Sequence, residues 1–306
     1  MARVLVTQAL PFAALDRLKA AHEVQMLTDL APPPPELLRE LAGPVEGLLC
    51  MLTNRIDTAL LDAAPHLRIV SNYAVGTDNI DLAACAARGV KVGNTPDVLT
   101  DATADLAFAL MLAAARDLVG QQAIVREGRW GHWAPAEGLG RDVHGATLVI
   151  VGAGRIGQAV AKRAAGFDMH VITVGRNDDL HAALREADFI SLNVPLTEGT
   201  RHLIDAEALA QCRPTAILVN TARGPIIDQV ALREALETGR LAAAGLDVTD
   251  PEPLPPDDAL LQAPNLIVVP HIGSATYTAR SRMADLAVDN LLAGLDGRPL
   301  PHEATA

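Results

Sequence analysis

The run VGAGRIG at 151–157, set between an apolar stretch, ATLVIV, and a helix-like stretch, QAVAKRAAGF, constrains this chain more than any other feature. In that spacing Gly152 allows a tight turn, Gly154 lets backbone approach a pyrophosphate, and Gly157 permits close packing of a helix on a strand. A helix opening near Arg155 points free N–H groups at the phosphates. A second strand-like run, MHVITV at 169–174, completes a βαβ pattern. The spacing therefore predicts a dinucleotide-binding unit with a separate domain in front of it.

With 306 residues, the chain suits two domains better than one core. Half of its residues are hydrophobic but only 3% are aromatic, so the cores must be built from Ala, Val, Leu and Ile. That is the composition of parallel α/β sheets buried on both faces. A net charge of −12 argues against nucleic acid or an anionic membrane surface as partner, yet leaves room for a small anionic substrate held by a local field. Cys50, Cys85 and Cys212 show no paired spacing and read as buried thiols of a reducing cytoplasm. The start, MARVLVTQALPF, does not read as a signal peptide, and LAFALMLAAA at 106–115 is too short to span a membrane. A cytosolic protein is expected.

Along the first hundred residues, ARVLVT, VQML, EGLLCML, LRIVSNYA and VKVGN read as strands, separated by helix-like stretches around 11–20, 35–42, 57–63 and 81–88. Five strands with four crossovers predict a flavodoxin-like parallel sheet. The run APPPP at 31–35 reads as a stiff connector into a helix at Glu36, with a Pro-rich ligand motif as the alternative. From Asp101 through about Arg126 the pattern predicts one long helix, capped by Thr100 or Asp101. Strands then follow near 147–151, 170–174, 189–193, 216–220, 243–247 and 266–269, a full doubly wound dinucleotide sheet of Rossmann type. A last helix, roughly 275–293, can return to the N-terminal domain. The expected division is a substrate-binding domain at 1–97, completed by 274–306, and a dinucleotide-binding domain at 98–273, with a cleft between them.

Three polar segments begin where predicted strands end: NTARGPIID at 220–228, GLDVTDPEPLP at 245–255 and VVPHIGSAT at 268–276. Ligands of open α/β sheets collect at those carboxyl ends, which makes Arg223, Glu252 and His271 candidates for one site. A guanidinium holds a carboxylate in bidentate fashion, and a histidine exchanges a proton near neutral pH with a carboxylate favouring its charged form. These are the parts needed to reduce a 2-oxo acid. Plainer roles stay open beside each: Arg223 as a helix cap or a partner of Asp228, Glu252 as a solvated loop acid, His271 as a strand end. The nine histidines show no HExxH or other zinc spacing, and neither GxSxG nor a Walker lysine occurs, so no metal site is expected.

Through LAAAGLDVTDPEPLP, VVPHIGSAT, DNLLAGLDGRPLP, VGTDNID and NTPDVLTDATADLA, the chain resembles the D-isomer-specific 2-hydroxyacid dehydrogenase family over its whole length, and within it the glyoxylate/hydroxypyruvate reductases. The resemblance implies that Arg223 orients the substrate, His271 is the general acid/base and Glu252 is its carboxylate partner. It further implies that the N–H groups of Val75 and Gly76 bind the substrate carboxylate and that Leu52 lies against the small substrate side chain. For the cofactor it implies the glycine loop with Arg155 and Ile156, the strand-end residues Val194, Pro195, Thr200, Thr221 and Ala222, and the residues Thr103, Asp247 and Gly273, with Asp247 on the nicotinamide amide. The alternatives are another D-2-hydroxyacid dehydrogenase, of the D-lactate or phosphoglycerate type, and a non-enzymatic nicotinamide sensor of the co-repressor type, which shares the fold but usually carries disordered extensions that the sequence does not show.

Two further expectations concern cofactor and assembly. HVITV ends in Gly175-Arg176-Asn177 without an acid at its tip, so Arg176 and Asn177 suit a ribose 2′-phosphate, favouring NADP with NAD possible. Asp178 is expected to cap the following helix, with Asp179 in its first turn. Trp130 and Trp133 fall in the loop-like segment 126–145 and mark either an interface or a cover for the chain's own core. In the resembling reductases this segment is an arm packed on a partner, so a homodimer is expected, with Trp133 reaching the neighbour's substrate cleft.

Overall fold

A computed structural model describes residues 1–29 and 31–305. It divides the chain into two compact units, Met1–Leu99 with Thr276–Ala306, and Thr100–Ala275.

The first unit alternates β1 (Arg3–Val6), α1 (Ala14–Ala21), β2 (Glu23–Met26), α2 (Pro35–Ala42), β3 (Gly47–Cys50), α3 (Thr58–Ala63), β4 (Ile69–Asn72), α4 (Leu82–Ala87) and β5 (Lys91–Gly93). The strands form one parallel sheet in the order β2-β1-β3-β4-β5, the flavodoxin arrangement. The central strands β3 (GLLC) and β4 (IVSN) are buried at every position, while the edge strand β2 (EVQM) alternates between half-buried and exposed. That contrast is what separates a strand covered on both faces from an edge. Aspartates start two helices: the Asp57 carboxylate accepts from the Leu60 N–H at 3.1 Å and that of Asp81 from Ala84 at 2.8 Å. Pro35 opens α2, where its missing N–H costs nothing.

In the second unit, α5 (Thr100–Ala115) and α6 (Leu118–Arg126) precede β6 (Thr147–Val151), α7 (Arg155–Ala164), β7 (His170–Val174), α8 (Leu180–Glu186), β8 (Phe189–Leu192), α9 (Ala206–Gln211), β9 (Ile217–Asn220), α10 (Gln229–Glu237), β10 (Ala243–Leu246) and β11 (Leu266–Val268). All pairings are parallel, in the order β11-β10-β9-β8-β6-β7. The chain then returns to the first unit as α11 (Tyr277–Leu295), started by Thr276, whose hydroxyl accepts from the Ala279 N–H at 3.1 Å. There Ser71 in β4 donates to the Ala287 carbonyl of α11 at 2.8 Å.

Two local expectations need correction. The helix expected over 101–126 is two helices, because Asp117 takes a left-handed conformation (φ 45°) and caps α6 through the Gly120 N–H at 3.2 Å. The end of α5 is closed when Arg141 N–H donates to the Ala115 carbonyl at 2.8 Å, where a side chain on Gly140 would lie 2.4 Å from that oxygen. Thr100 and Asp101 both lie inside α5, and Asp101 pairs with Arg163 at 3.1 Å. The six expected strands are all present, with β7 on one side of the fingerprint strand β6 and β8, β9, β10 and β11 following in turn on the other.

Aliphatic side chains fill the cores as the composition requires, with one aromatic stack among the described residues, Phe108 on Phe167 at 5.4 Å between centroids. The apolar run at 106–115 is the buried body of α5, packed on β9 and β10; a Cβ on Gly245 would come within 3.0 Å of Leu110. No helix among the described residues is long and apolar enough to cross a membrane. The three cysteines are free and buried, and burial pushes the thiols of Cys85 and Cys212 up to about 11 and that of Cys50 further, which keeps them protonated.

Candidate active site

At the carboxyl end of β6, the glycine loop sits where the sheet order turns between β6 and β8, the switch point at which such sheets bind ligands. Gly152 has φ 97°, and a Cβ on it would lie 2.8 Å from the Asn193 carbonyl and from Val194. A Cβ on Gly157 would lie 2.1 Å from the Gly152 carbonyl oxygen, so α7 can approach β6 only as glycine allows. Around Gly154, the N-cap of α7, there is open space within 4 Å of a Cβ position. With no side chain to cap them, the first N–H groups of α7, those of Arg155 and Ile156 among them, are the anion site of a helix N-terminus. Two buried oxygens nearby, Asn193 Oδ1 past β8 and Thr221 Oγ1 past β9, have no hydrogen-bond partner. Open space over a glycine turn, a helix N-terminus with no side-chain cap and orphaned buried oxygens fit a dinucleotide lying along these strand ends.

Not every residue of the expected cofactor set is turned to that purpose. The Thr200 hydroxyl donates to the Pro195 carbonyl at 2.6 Å and accepts from the Thr197 N–H at 2.8 Å, so it shapes its own loop. At the tip of β7, Arg176 and Asn177 are exposed. The helix cap there is Asp179, accepting from the Ala182 N–H at 2.9 Å, and not Asp178. Asp178 instead folds back onto the Gly175 N–H at 2.7 Å and closes a tight turn. Both acids are thus occupied by local backbone donors.

The segments bearing Arg223, Glu252 and His271 leave β9, β10 and β11, three neighbouring strands. His271 has φ 50°, a conformation a non-glycine residue rarely holds without support. The support is visible: its N–H donates to the Asp247 carbonyl at 2.9 Å, and the Asp247 carboxylate accepts from Ile272 N–H at 2.6 Å and Gly273 N–H at 2.8 Å. A Cβ on Gly273 would come within 3.0 Å of that carboxylate and 3.4 Å of Thr103. Thr103, Asp247 and Gly273 therefore meet in one place. Burial holds the Asp247 carboxyl above the usual range, against the opposing pull of the two N–H bonds and the neighbouring imidazole.

His271 Nδ1 and Glu252 Oε1 are hydrogen-bonded, which leaves Nε2 as the ring nitrogen for proton exchange. Arg223 is half-buried and donates to the Ala222 carbonyl at 2.7 Å. Asp228, its alternative partner, spends its carboxylate on the Val230 and Ala231 N–H groups at the start of α10.

Residues that sequence reasoning missed hold these segments in register. The Asn220 side chain accepts from Ala222 N–H at 3.0 Å and donates to the Arg223 carbonyl at 2.9 Å, folding the strand end into the loop that presents Arg223. Asparagine after a strand is a readable turn signal. Gly224 packs on backbone, since a Cβ would lie 1.9 Å from the Thr249 carbonyl oxygen. Gln229 pairs with the main chain of Asp250 through both halves of its amide, accepting from the Asp250 N–H at 2.9 Å and donating to its carbonyl. Nothing in the sequence marks Gln229, because its partner lies across a loop.

Leu52, Val75 and Gly76 belong to the first unit, on loops after β3 and β4. Asn79 donates to the carbonyls of Met51 (3.2 Å) and Asn54 (3.0 Å), and Asn54 Oδ1 accepts from Met51 N–H at 2.9 Å and from the Thr7 hydroxyl at 2.6 Å. Leu52 is exposed on that braced loop. Trp130 and Trp133 are 68% and 79% exposed, so neither covers the unit's own core.

Residues 108–273 match the family model for the D-isomer specific 2-hydroxyacid dehydrogenase, NAD binding domain. A glyoxylate reductase of Korarchaeum cryptofilum is 46% identical over 98% of this chain and 95% of its own length. Among solved structures, the TT0316 protein of Thermus thermophilus superposes with a TM-score of 0.94 at 47% identity, covering 99% of this chain and all of that one. An NADPH-dependent glyoxylate/hydroxypyruvate reductase of Sinorhizobium meliloti, crystallised with NADP and malonate, superposes at 0.87 with 33% identity, covering 99% of this chain and 96% of that one.

Proposed function

Because the chain belongs to the D-isomer-specific 2-hydroxyacid dehydrogenase family, we propose that it is a cytosolic reductase of small 2-oxo acids, converting glyoxylate to glycolate and hydroxypyruvate to D-glycerate. The observation that carries this reading is the His271–Glu252 pair, held in a strained conformation on the sheet that also bears the glycine loop. Bound at that loop, a reduced nicotinamide supplies a hydride to the substrate 2-carbon.

The chain's own work is orientation and charge. Arg223 holds the substrate carboxylate and draws electron density toward the carbonyl oxygen. From the first unit, Leu52 meets the small side chain and the N–H groups of Val75 and Gly76 bind the carboxylate. As the carbon gains its hydride, the oxygen takes the proton from His271 Nε2, and the imidazole is left neutral beside Glu252. Asp247 fixes the loop of His271 and presents the rest of its carboxylate to the nicotinamide amide. Steady-state oxidation of NADPH and NADH with glyoxylate, hydroxypyruvate and pyruvate tests the reading; no turnover of any 2-oxo acid would overturn it.

NADPH is the favoured cofactor. Its support is the exposed Arg176-Asn177 tip together with the local engagement of Asp178 and Asp179, which removes both acids from opposition to a 2′-phosphate. Arg176→Ala is expected to raise KM for NADPH about tenfold or more, the weight of one charge-assisted contact, and to leave KM for NADH near its starting value. A higher kcat/KM with NADH in the unmutated enzyme would remove Arg176 from this role.

The working form is a homodimer. No residue of α6 is buried, and over the stretch 118–139 Leu118, Val119, Val125, Trp130, Trp133 and Leu139 are all exposed, a concentration of apolar side chains of the kind that a second copy covers. In this arrangement Trp133 reaches the substrate site of the partner subunit. Sedimentation giving a stable, active monomer would refute it.

A further inference from the structure

The geometry points to a three-amide anion cradle at 75–77, whose direction is set by the Thr95 N–H and by two asparagine side chains that themselves never touch the substrate. The proposal rests on the reading that this loop receives the substrate carboxylate. It adds a third donor, Thr77 N–H, and assigns Asn94 and Asn72 as positioning residues.

Three successive carbonyls are held from one side. The Ala74 carbonyl accepts from Thr95 N–H at 2.9 Å, that of Val75 from the Asn94 side chain at 2.8 Å, and that of Gly76 from the Asn72 side chain at 2.8 Å. These donors all sit at the carboxyl end of β4 and β5. The peptide bonds concerned are trans, and in a planar trans peptide the N–H lies opposite the C=O. Pinning each carbonyl inward therefore turns the N–H groups of Val75, Gly76 and Thr77 outward together. Within the first unit, none of the three donates a hydrogen bond among the described residues, and all three residues are half-buried. Consecutive amides facing one way form a nest for an anion without any charged side chain.

Such pinning is needed because Gly76 has no Cβ to restrict rotation of the peptides on either side of it. Asn94 is itself anchored: its carbonyl accepts from Asn290 in α11 at 2.9 Å. Asn290 is fully buried in a space that exists only because position 93 is glycine, where a Cβ would lie 2.7 Å from it. A line of neutral amides thus runs from α11 through Asn94 to the Val75–Gly76 peptide.

Amide spectra of the cofactor-loaded enzyme test this directly, with oxalate as the probe. All three amide protons, Val75, Gly76 and Thr77, are expected to shift; a stationary Thr77 overturns the third donor. Asn94→Asp keeps the shape but replaces the donor with an acceptor. It is expected to raise KM for glyoxylate about ten- to a hundredfold, the weight of a hydrogen bond to a charged group, while KM for NADPH holds and kcat falls less. Asn94→Ala is expected to follow in the same direction with a smaller rise. An unchanged KM for glyoxylate in both variants overturns the positioning role. A protein that shifts the three amides with oxalate yet reduces no 2-oxo acid sinks the activity reading and leaves the cradle standing; active enzyme with three unmoved amides does the reverse.

Discussion

At the carboxyl edge of the second sheet the groups proposed for the chemistry are charged or titratable: Arg223, Glu252 and His271, with Asp247 bonded to the segment that carries His271. At the corresponding edge of the first sheet the groups assigned to recognition are backbone amides backed by Asn72, Asn79 and Asn94. Both sheets are parallel and both present strand ends, so topology does not explain the difference. The tasks do. In the proposed reaction the second sheet's edge gives a proton and meets an alkoxide, which requires groups that change charge. On the other side an anion needs only to be oriented, and fixed dipoles do that without reorganising.

The sharpest way to break this comparison is to remove the proton donor. His271→Ala is expected to lower kcat by about two to four orders of magnitude, the range for losing a positioned acid/base. Near-normal turnover would mean that the charged edge does not carry the chemistry.

A finer cut separates Glu252 from what holds it. Glu252→Gln removes the negative charge beside the imidazole, so the alkaline limb of the rate profile for reduction is expected to move to lower pH. Gln229→Leu frees the Asp250 main chain and is expected to move that limb in the same direction by a smaller amount, with kcat reduced a few-fold. Since both act through one contact, the double variant is expected to fall well short of the summed effects. Full additivity would show that Gln229 stabilises the loop without placing Glu252.

The smallest effect concerns Asp247. Burial raises its folded pKa above the unfolded value of about 3.9, so its favourable contribution is present at low pH and is lost as pH rises through the raised value. Asp247→Asn has no such titration. The Tm of the wild type relative to the variant is accordingly expected to fall as pH rises from about 4 through the weakly acidic range, whatever constant offset the altered hydrogen bonds introduce. A pH-independent difference would contradict the assignment.

Both sheets were legible in the sequence because buried parallel strands are short apolar runs bounded by polar turns; GLLC, FISL and ILVN can hardly be anything else. The glycine loop was legible because its spacing is that of a turn and helix start in which Gly152 and Gly157 answer steric demands that no other residue meets. The break at Asp117 was not, since the helical pattern runs on through 126 and the left-handed turn depends on where Arg141 returns to cap α5. The order of the strands was not legible either, because counting six strands does not say on which side of β6 they fall. Arg223, Glu252 and His271 stood out by residue type at strand ends, whereas Gln229, Asn94 and Asn290 are ordinary amides whose meaning lies in partners distant along the chain.

The packing of Gly224 on the Thr249 carbonyl bears on how such a protein can change over generations. The obstacle is main chain, so no compensating side-chain substitution makes room for a larger residue, and Arg223 inherits a fixed address from its neighbour. The tip of β7 is the opposite case: Arg176 and Asn177 project from an exposed turn whose shape depends on Asp178 and Asp179. Substitutions can therefore accumulate at that exposed tip, while the turn that presents Arg223 is held to glycine by the main chain against it.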